Sequence, residues 1–533
     1  MTVPRITPSV LRQQFQEQKD IALVDVREED TFSEGHLLRA GSLPLSRLEL
    51  LARKRLPRLS MPIVICADDE ALAQRAAGRL QEAGYTAVFV LAGGIAAWKA
   101  QGLPVYKGVH VPSKGFAEVI EHNNETPYLS AEQLVQLRKS GADIVVLDSR
   151  SNEEYRDNTI PTAISVPGAE LVYRIYDLAP SDQTTVVVNC GGRTRSIIGA
   201  QSLINAGIKN KVYSLKDGTM GWHLAGLTLE RGQTPAYSQT SQRGLELARE
   251  ATTAVAERFK LRAISHAELK AFRAEADQTT LYLFDVRSPE EYRDGHLDGF
   301  INIAGGQLIQ ETDRWIASWQ ARIVLSDDNC IRAIMTASWL AQLGLANVFY
   351  LGEGFGSESL VRDVPVDHGY RAFPLQGPEP KMLTVQEAAT EIRAGRAAVI
   401  DVSLSSVYDA GHIPGAWHAV RSRLGANLSK LPASDLLIVT SEDGVLARFA
   451  ASELLRMGRR SVAIGGGTRQ WAEAGLGLET GLVNFLDEPD DVYYVPRRRK
   501  KDQARYMREY LDWEQGLLLQ LGGDADCPFP VHS

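Results

Sequence analysis

The stretch TVVVNCGGRTRSIIGAQSL places Cys190 at the end of a β-branched apolar run and directly before a helix signal. Between the two lies Gly191-Gly192-Arg193-Thr194-Arg195, a loop that can curl until its backbone N–H groups point at the sulfur, while the helix opening near Ser196 adds its positive end. Such a cradle favours the thiolate. Arg193 and Arg195 add positive charge, and one unit charge at ~4 Å is worth about 4 kcal/mol at an effective dielectric of about 20. Surroundings of this kind bring a cysteine pKa into the range of about 3.5–7.5, which makes the sulfur nucleophilic at neutral pH. The chemistry open to this loop is covalent attack on an anionic substrate. Arg195 is the better anchor for an oxyanion, because a guanidinium offers planar, paired donors.

The other three cysteines, Cys66, Cys330 and Cys527, show no CxxC pairing or zinc-ligand spacing, which argues against a disulfide framework and a structural metal. Cys66 is followed by Asp68, Asp69 and Glu70, and Cys330 stands beside Asp327 and Asp328. Those carboxylates would repel both a thiolate and an anionic substrate, so both sulfurs read as structural. Cys527 lies near the end of the chain and reads as an ordinary free thiol.

The elements that must position Cys190 recur four times, a signal to be sought before any local one. Apolar runs end in Asp25, Asp148, Asp285 and Asp401, each strand-like in its β-branched content and preceded by a capped helix signal. A polar turn follows, at His36, Ile160, His296 and His412, and then a second apolar strand, a helix closing on Gly84, Gly207, Gly344 or Gly458, and a glycine-rich turn near Trp98, Trp222, Phe355 or Trp471. Alternating strands and helices at this spacing imply a parallel sheet with helices on both faces. Counting back from the helix-closing glycine by the step that separates Gly207 from Cys190 reaches Ala67, Asp327 and Ser441. The thiol is therefore expected in the second unit alone.

The D-x-R strand, the GHIPGA turn, the strand ending in cysteine and the glycine-rich GW turn together resemble the rhodanese-like family, and the resemblance covers nearly the whole chain to about residue 480. It implies an α/β fold of four tandem rhodanese-like domains with a C-terminal helical extension: 1–106 inactive, 124–232 catalytic, 261–371 and 380–480 inactive, and 481–533 the extension. Residues near 107–123 and 233–260 read as connectors. The implied activity is sulfur transfer from thiosulfate to cyanide or a thiol through a Cys190 persulfide, with no cofactor. Gly191, Gly192, Arg193, Thr194 and Ser196 would form the cradle and Arg195 the anchor. Asp148 and Arg150 would support the loop as an ion pair, since D-x-R also occurs in units that lack the nucleophile. Arg193 stands where the family commonly has glycine. A Cys-Gly start is also common in 3-mercaptopyruvate sulfurtransferases, so both donors stay open.

Two readings of other classes compete. Phosphatases of related fold use a Cys-x5-Arg loop, but four residues separate Cys190 from Arg195, a cradle better matched to one sulfur atom. A binding scaffold with a vestigial second unit is the other, although silent units that shape the cleft or recruit a sulfur acceptor, including a protein acceptor, fit an intact loop better. A net charge of −8 gives no general attraction to nucleic acid, and the basic run Arg497 to Lys501 reads as a solvated face. No segment approaches the roughly 18 apolar residues of a membrane span, and the N-terminus lacks a signal sequence, so a cytoplasmic location is expected. In the tail, Tyr506, Tyr510, Leu511, Trp513, Leu517, Leu518 and Leu521 trace one apolar helical stripe that should dock on a rhodanese unit.

Overall fold

The computed structural model describes residues 3–235, 239–362, 369–496 and 501–530, so residues 497–500 of the basic run lie outside the described residues. The four apolar repeats become four five-stranded sheets of identical order: along each sheet stand the first, fifth, fourth, second and third strand of the unit. Every pairing is parallel. Central strands such as Ile63–Cys66 and Leu436–Thr440 are buried along their whole length, as a sheet covered by helices on both faces demands.

Strand register fixes the equivalence of the four loops. Asp25 pairs with Cys66, Asp148 with Asn189, Asp285 with Ser326 and Asp401 with Thr440. The first residue beyond each strand is therefore Ala67, Cys190, Asp327 and Ser441, as the counting predicts, and Cys66 is one place early. A glycine in the left-handed region closes each unit against this loop. A Cβ on Gly94, Gly218 or Gly467 would come 2.1, 2.3 or 2.0 Å from the carbonyl oxygen of Ala67, Cys190 or Ser441, and one on Gly354 would lie 2.9 Å from that of Asp328. Only a residue without a side chain fits there.

The polar turn differs in one position from the sequence reading. His36, His296 and His412 form antiparallel bridges to Tyr106, Val361 and Glu479, and the second unit's equivalent is Thr159, bridged to Glu230, with Ile160 one place later. Thr159 also donates its hydroxyl to Asp148 at 2.8 Å, a contact an isoleucine could not make.

Second and third units meet through the loops after their short edge strands, where Gly168 and Gly306 pass in contact and Arg332 pairs with Glu170 at 2.9 Å. The same loops join the first and fourth units, through Arg421 and Glu49 at 2.6 Å and Ser422 and Glu28 at 2.8 Å. Both connectors fold as helices, Val111–Asn124 and Gln242–Arg258. The first is almost wholly buried along Val111–Ile120, and it receives the tail helix Gln503–Gly522: a Cβ on Gly115 would strike Leu521 at 2.1 Å. The tail's apolar stripe thus docks largely on a connector.

Candidate functional site

Cys190 sits between the strand Thr185–Asn189 and the helix Thr194–Asn205, 2% exposed, with its Sγ 3.4 Å from the Ser196 hydroxyl. That hydroxyl donates in turn to the Arg193 carbonyl at 2.8 Å. The glycine-rich turn holds the loop from below, Thr219 N–H donating to the Cys190 carbonyl at 2.8 Å and Met220 N–H to Gly191 at 3.2 Å. N–H groups of the helix's first turn have no intrahelical acceptor and leave a positive end at the sulfur.

Behind the loop, Arg150 grips Asp148 through two bonds of 2.9 and 2.7 Å, both side chains fully buried, and Asn189 donates to Asp148 at 3.1 Å. Arg150 also reaches Asn158 at 3.3 Å. The pair ties the strand end to the turn and does not line the cleft around Cys190.

Both loop arginines differ from the expectation of free positive charge. Arg193 turns away from the sulfur into a carboxylate cluster, bidentate to Glu118 at 2.7 and 2.8 Å, in contact with Glu121, and 3.3 Å from Asp217. Its side chain anchors the loop to the connector helix. Arg195 is bidentate to Glu154 at 2.5 and 2.9 Å and bonds Gln307 of the third unit at 3.1 Å. Burial opposes its charge, but Glu154 first and Cys190 after it hold the guanidinium pKa above the ordinary arginine range. The field at the sulfur therefore comes from helix N–H groups and Arg195, with much of the arginine charge already balanced.

In the third unit the equivalent loop closes on a side chain of its own. Asp327 takes the place of Cys190, and its carboxylate accepts from the N–H groups of Cys330 at 2.6 Å and Arg332 at 2.9 Å. Arg332 matches Arg195 in position and pairs with Glu291 at 2.8 Å, as Arg195 pairs with Glu154. A carboxylate thus satisfies the N–H groups of this loop. Cys330 faces the Leu351 carbonyl at 3.2 Å, and burial pushes its thiol up to about 11. Burial, and then Asp25, push Cys66 well above the usual thiol range. Cys527, its thiol pushed up by burial to about 11, contacts the Phe529 carbonyl and does not line the Cys190 cleft.

That cleft, about 420 Å³ and open to solvent, gathers walls from distant parts of the chain: Glu29 of the first unit, His110 and Lys114 of the connector, Gln307, Glu311 and Arg314 of the third unit, and Tyr493, Tyr510 and Glu514 of the tail. Of these the sequence singles out Tyr510 alone, and only as a member of the tail's apolar stripe. Lys114, Glu118 and Glu121 do lie on one face of the connector helix, and Tyr510 and Glu514 stand one turn apart within the tail stripe, spacings that mark a polar seam only once helix is assigned there. Among the described residues no group of side chains has metal-site geometry, and no helix is long and apolar enough to cross a membrane.

Four parallel sheets, each with its strand-end loop at a helix N-terminus, are matched by comparison with known proteins: residues 7–101, 130–225, 265–357 and 384–474 each match the rhodanese-like domain. The chain belongs to the rhodanese-like family and carries the domain four times. Over its full length it is similar to a crystal structure of a thiosulfate sulfurtransferase from Pseudomonas aeruginosa, 41% identical, TM-score 0.93, covering 100% of both chains. Shorter similarities are to the uncharacterized protein slr1261 of Synechocystis, 37% identical over 108 residues, and to the HTH-type transcriptional regulator Rv0324 of Mycobacterium tuberculosis, 31% over 104. Each involves 20% of this chain and spans only 58% and 45% of those relatives.

Proposed function

We propose that this protein is a sulfurtransferase that takes the outer sulfur of thiosulfate onto Cys190 and passes it to a thiol or to cyanide. The observation that carries the reading is the placement of Cys190: of the four equivalent positions it alone holds a thiol, at a helix N-terminus, facing an open cleft. The thiolate attacks the outer sulfur, a new S–S bond forms, the S–S bond of thiosulfate breaks, and sulfite departs with its electron pair. Helix N–H groups then stabilise the anionic persulfide as they stabilise the Asp327 carboxylate in the third unit. In the second half, an acceptor attacks the outer sulfur and Cys190 leaves as thiolate. The full-length similarity to a thiosulfate sulfurtransferase supports thiosulfate as donor, while the Cys190-Gly191 start keeps 3-mercaptopyruvate as the second donor to try.

Intact-protein mass after brief exposure to thiosulfate tests the reading. Wild type should gain one sulfur and lose it on adding cyanide or a thiol, whereas Cys190→Ala should gain none. If neither thiosulfate nor 3-mercaptopyruvate loads sulfur on wild type, the transferase reading fails and a binding scaffold takes its place.

A further inference from the structure

The tail helix Gln503–Gly522 buries Met507, Leu511, Leu517 and Leu521, and in the middle of that stripe it also buries Glu514, 2% exposed. A carboxylate on an apolar seam costs several kcal/mol unless it is well paired. Glu514 is only half paired. Its Oε1 accepts from the Tyr510 hydroxyl at 3.0 Å and from the Thr194 hydroxyl at 3.4 Å. Its Oε2 has no hydrogen-bond partner among the described residues, and it lies over the loop that carries Cys190, 3.1 Å from where a Cβ on Gly192 would stand. Glu514, Tyr510 and Cys190 line one cleft. A leucine would pack this seam better, so the free oxygen needs another reason.

We propose that Glu514 is the base that takes the proton from the acceptor thiol as that thiol attacks the Cys190 persulfide. The inference rests on the persulfide reading above. A free thiol has a pKa of about 8.5 and is mostly protonated at neutral pH, where the thiol form is a poor nucleophile. In the step, the acceptor S–H bond breaks and its proton moves to Glu514 Oε2. The acceptor sulfur bonds to the outer persulfide sulfur, the Cys190 S–S bond breaks, and that electron pair returns to Cys190 as thiolate. The products are the acceptor persulfide anion and a protonated Glu514, which loses its proton to water in the open cleft. Charge and atoms balance without any oxidant or reductant.

The groups around Glu514 suit a carboxyl that titrates near neutrality. Lys114 and Glu118 face it from the connector helix, Arg193 from the nucleophile loop and Tyr510 from its own helix. Burial raises Glu514 to about 7, with Lys114 opposing, and burial lowers Lys114 to about 8. Lys114 is itself held in place, its Nζ donating to the Val109 carbonyl at 2.6 Å and lying about 5 Å from the Tyr510 and Trp513 ring centres.

The experiment is a single-turnover discharge of thiosulfate-loaded full-length protein, wild type against the isosteric Glu514→Gln, with two acceptors. Dithiothreitol must lose a proton to attack; sulfite at mildly alkaline pH has none to lose. The ratio of thiol to sulfite discharge should fall about 10²-fold in Glu514→Gln, in the range of general-base contributions. Sulfite discharge from the same sample reports that the cleft is formed, so a misfolded variant is not mistaken for a lost base. The deficit should also shrink as pH approaches the thiol's own pKa, which a merely structural role would not produce, and Glu514→Asp should recover part of the ratio. An unchanged ratio in a sulfur-loaded Glu514→Gln overturns the base role and leaves the persulfide reading intact. Failure of wild type to load sulfur overturns both.

Discussion

Asp148 and Arg150 form a buried pair behind the Cys190 loop that does not line the cleft. The guanidinium is fully buried and answers a fully buried carboxylate, with Asn189 and Thr159 completing the set. The fourth unit displays the same position without the arginine. There Ser403 stands two residues after Asp401, where the other units have arginine; the carboxylate accepts from the Ser403 N–H at 2.8 Å, and burial raises its pKa. Removing one partner of a buried pair leaves an uncompensated charge, so Arg150→Ala should cost about 3–5 kcal/mol by denaturant unfolding. The Asp148–Arg150 pairing was legible because the repeat carries the aspartate three more times and the arginine twice more, and the strand-end position of Cys190 was legible by counting between equivalent units. The partners of Arg193 were not, since Glu118 and Glu121 lie some 70 residues away on a stretch that reads as connector.

At the scale of elements, the glycine that closes each unit against its strand-end loop separates stability from function. Gly94 and Gly218 occupy the same left-handed turn, and a Cβ on either would overlap the carbonyl oxygen of Ala67 or Cys190. Alanine in either place should lower the unfolding midpoint, with about 1–2 kcal/mol from the left-handed backbone alone and more from the overlap. On the proposed reading, Gly218→Ala should in addition slow sulfur loading at least tenfold, because the carbonyl it displaces belongs to Cys190, whereas Gly94→Ala should load sulfur as wild type does. Equal loading by both variants would mean that loop geometry does not limit the reaction. The tail helix was legible as an apolar stripe, yet the same period that gives Met507, Leu511, Leu517 and Leu521 also includes Glu514. A search for apolar residues passes over the one polar member, and its burial becomes visible only with the surface it docks on.

Across the whole molecule, ion pairs between units carry much of the specific contact. Glu49 of the first unit bonds Arg421 of the fourth, and Arg79 from its own unit, and although burial opposes ionisation the two guanidiniums hold its pKa down to about 2. A carboxyl depressed in the folded state stabilises fully above its unfolded pKa of about 4.3 and loses that contribution as pH falls toward the folded value. Glu49→Gln should therefore cost on the order of 3 kcal/mol at neutral pH. The gap between variant and wild type should close between pH of about 4.3 and about 2, read as denaturant midpoints at each pH. A chain ending at residue 232 should change both turnover and the ranking of acceptors, since Gln307, Arg314, Tyr510 and Glu514 all leave the cleft. Unchanged turnover and ranking would mean that the third unit and the tail do not shape the site.

The cleft walls run in sequence from Glu29 to Glu514, and this gives the site a place in time as well as in space. Domains fold as they leave the ribosome, at about 5–20 residues per second. The second unit can thus complete its sheet and loop roughly half a minute before the tail helix is synthesised at such rates. Through that interval the thiol stands at a helix terminus without its roof. On the proposed reading, a chain released early would carry Cys190 without Tyr510 and Glu514, and its acceptor-dependent turnover would report how much of the cleft wall has been made.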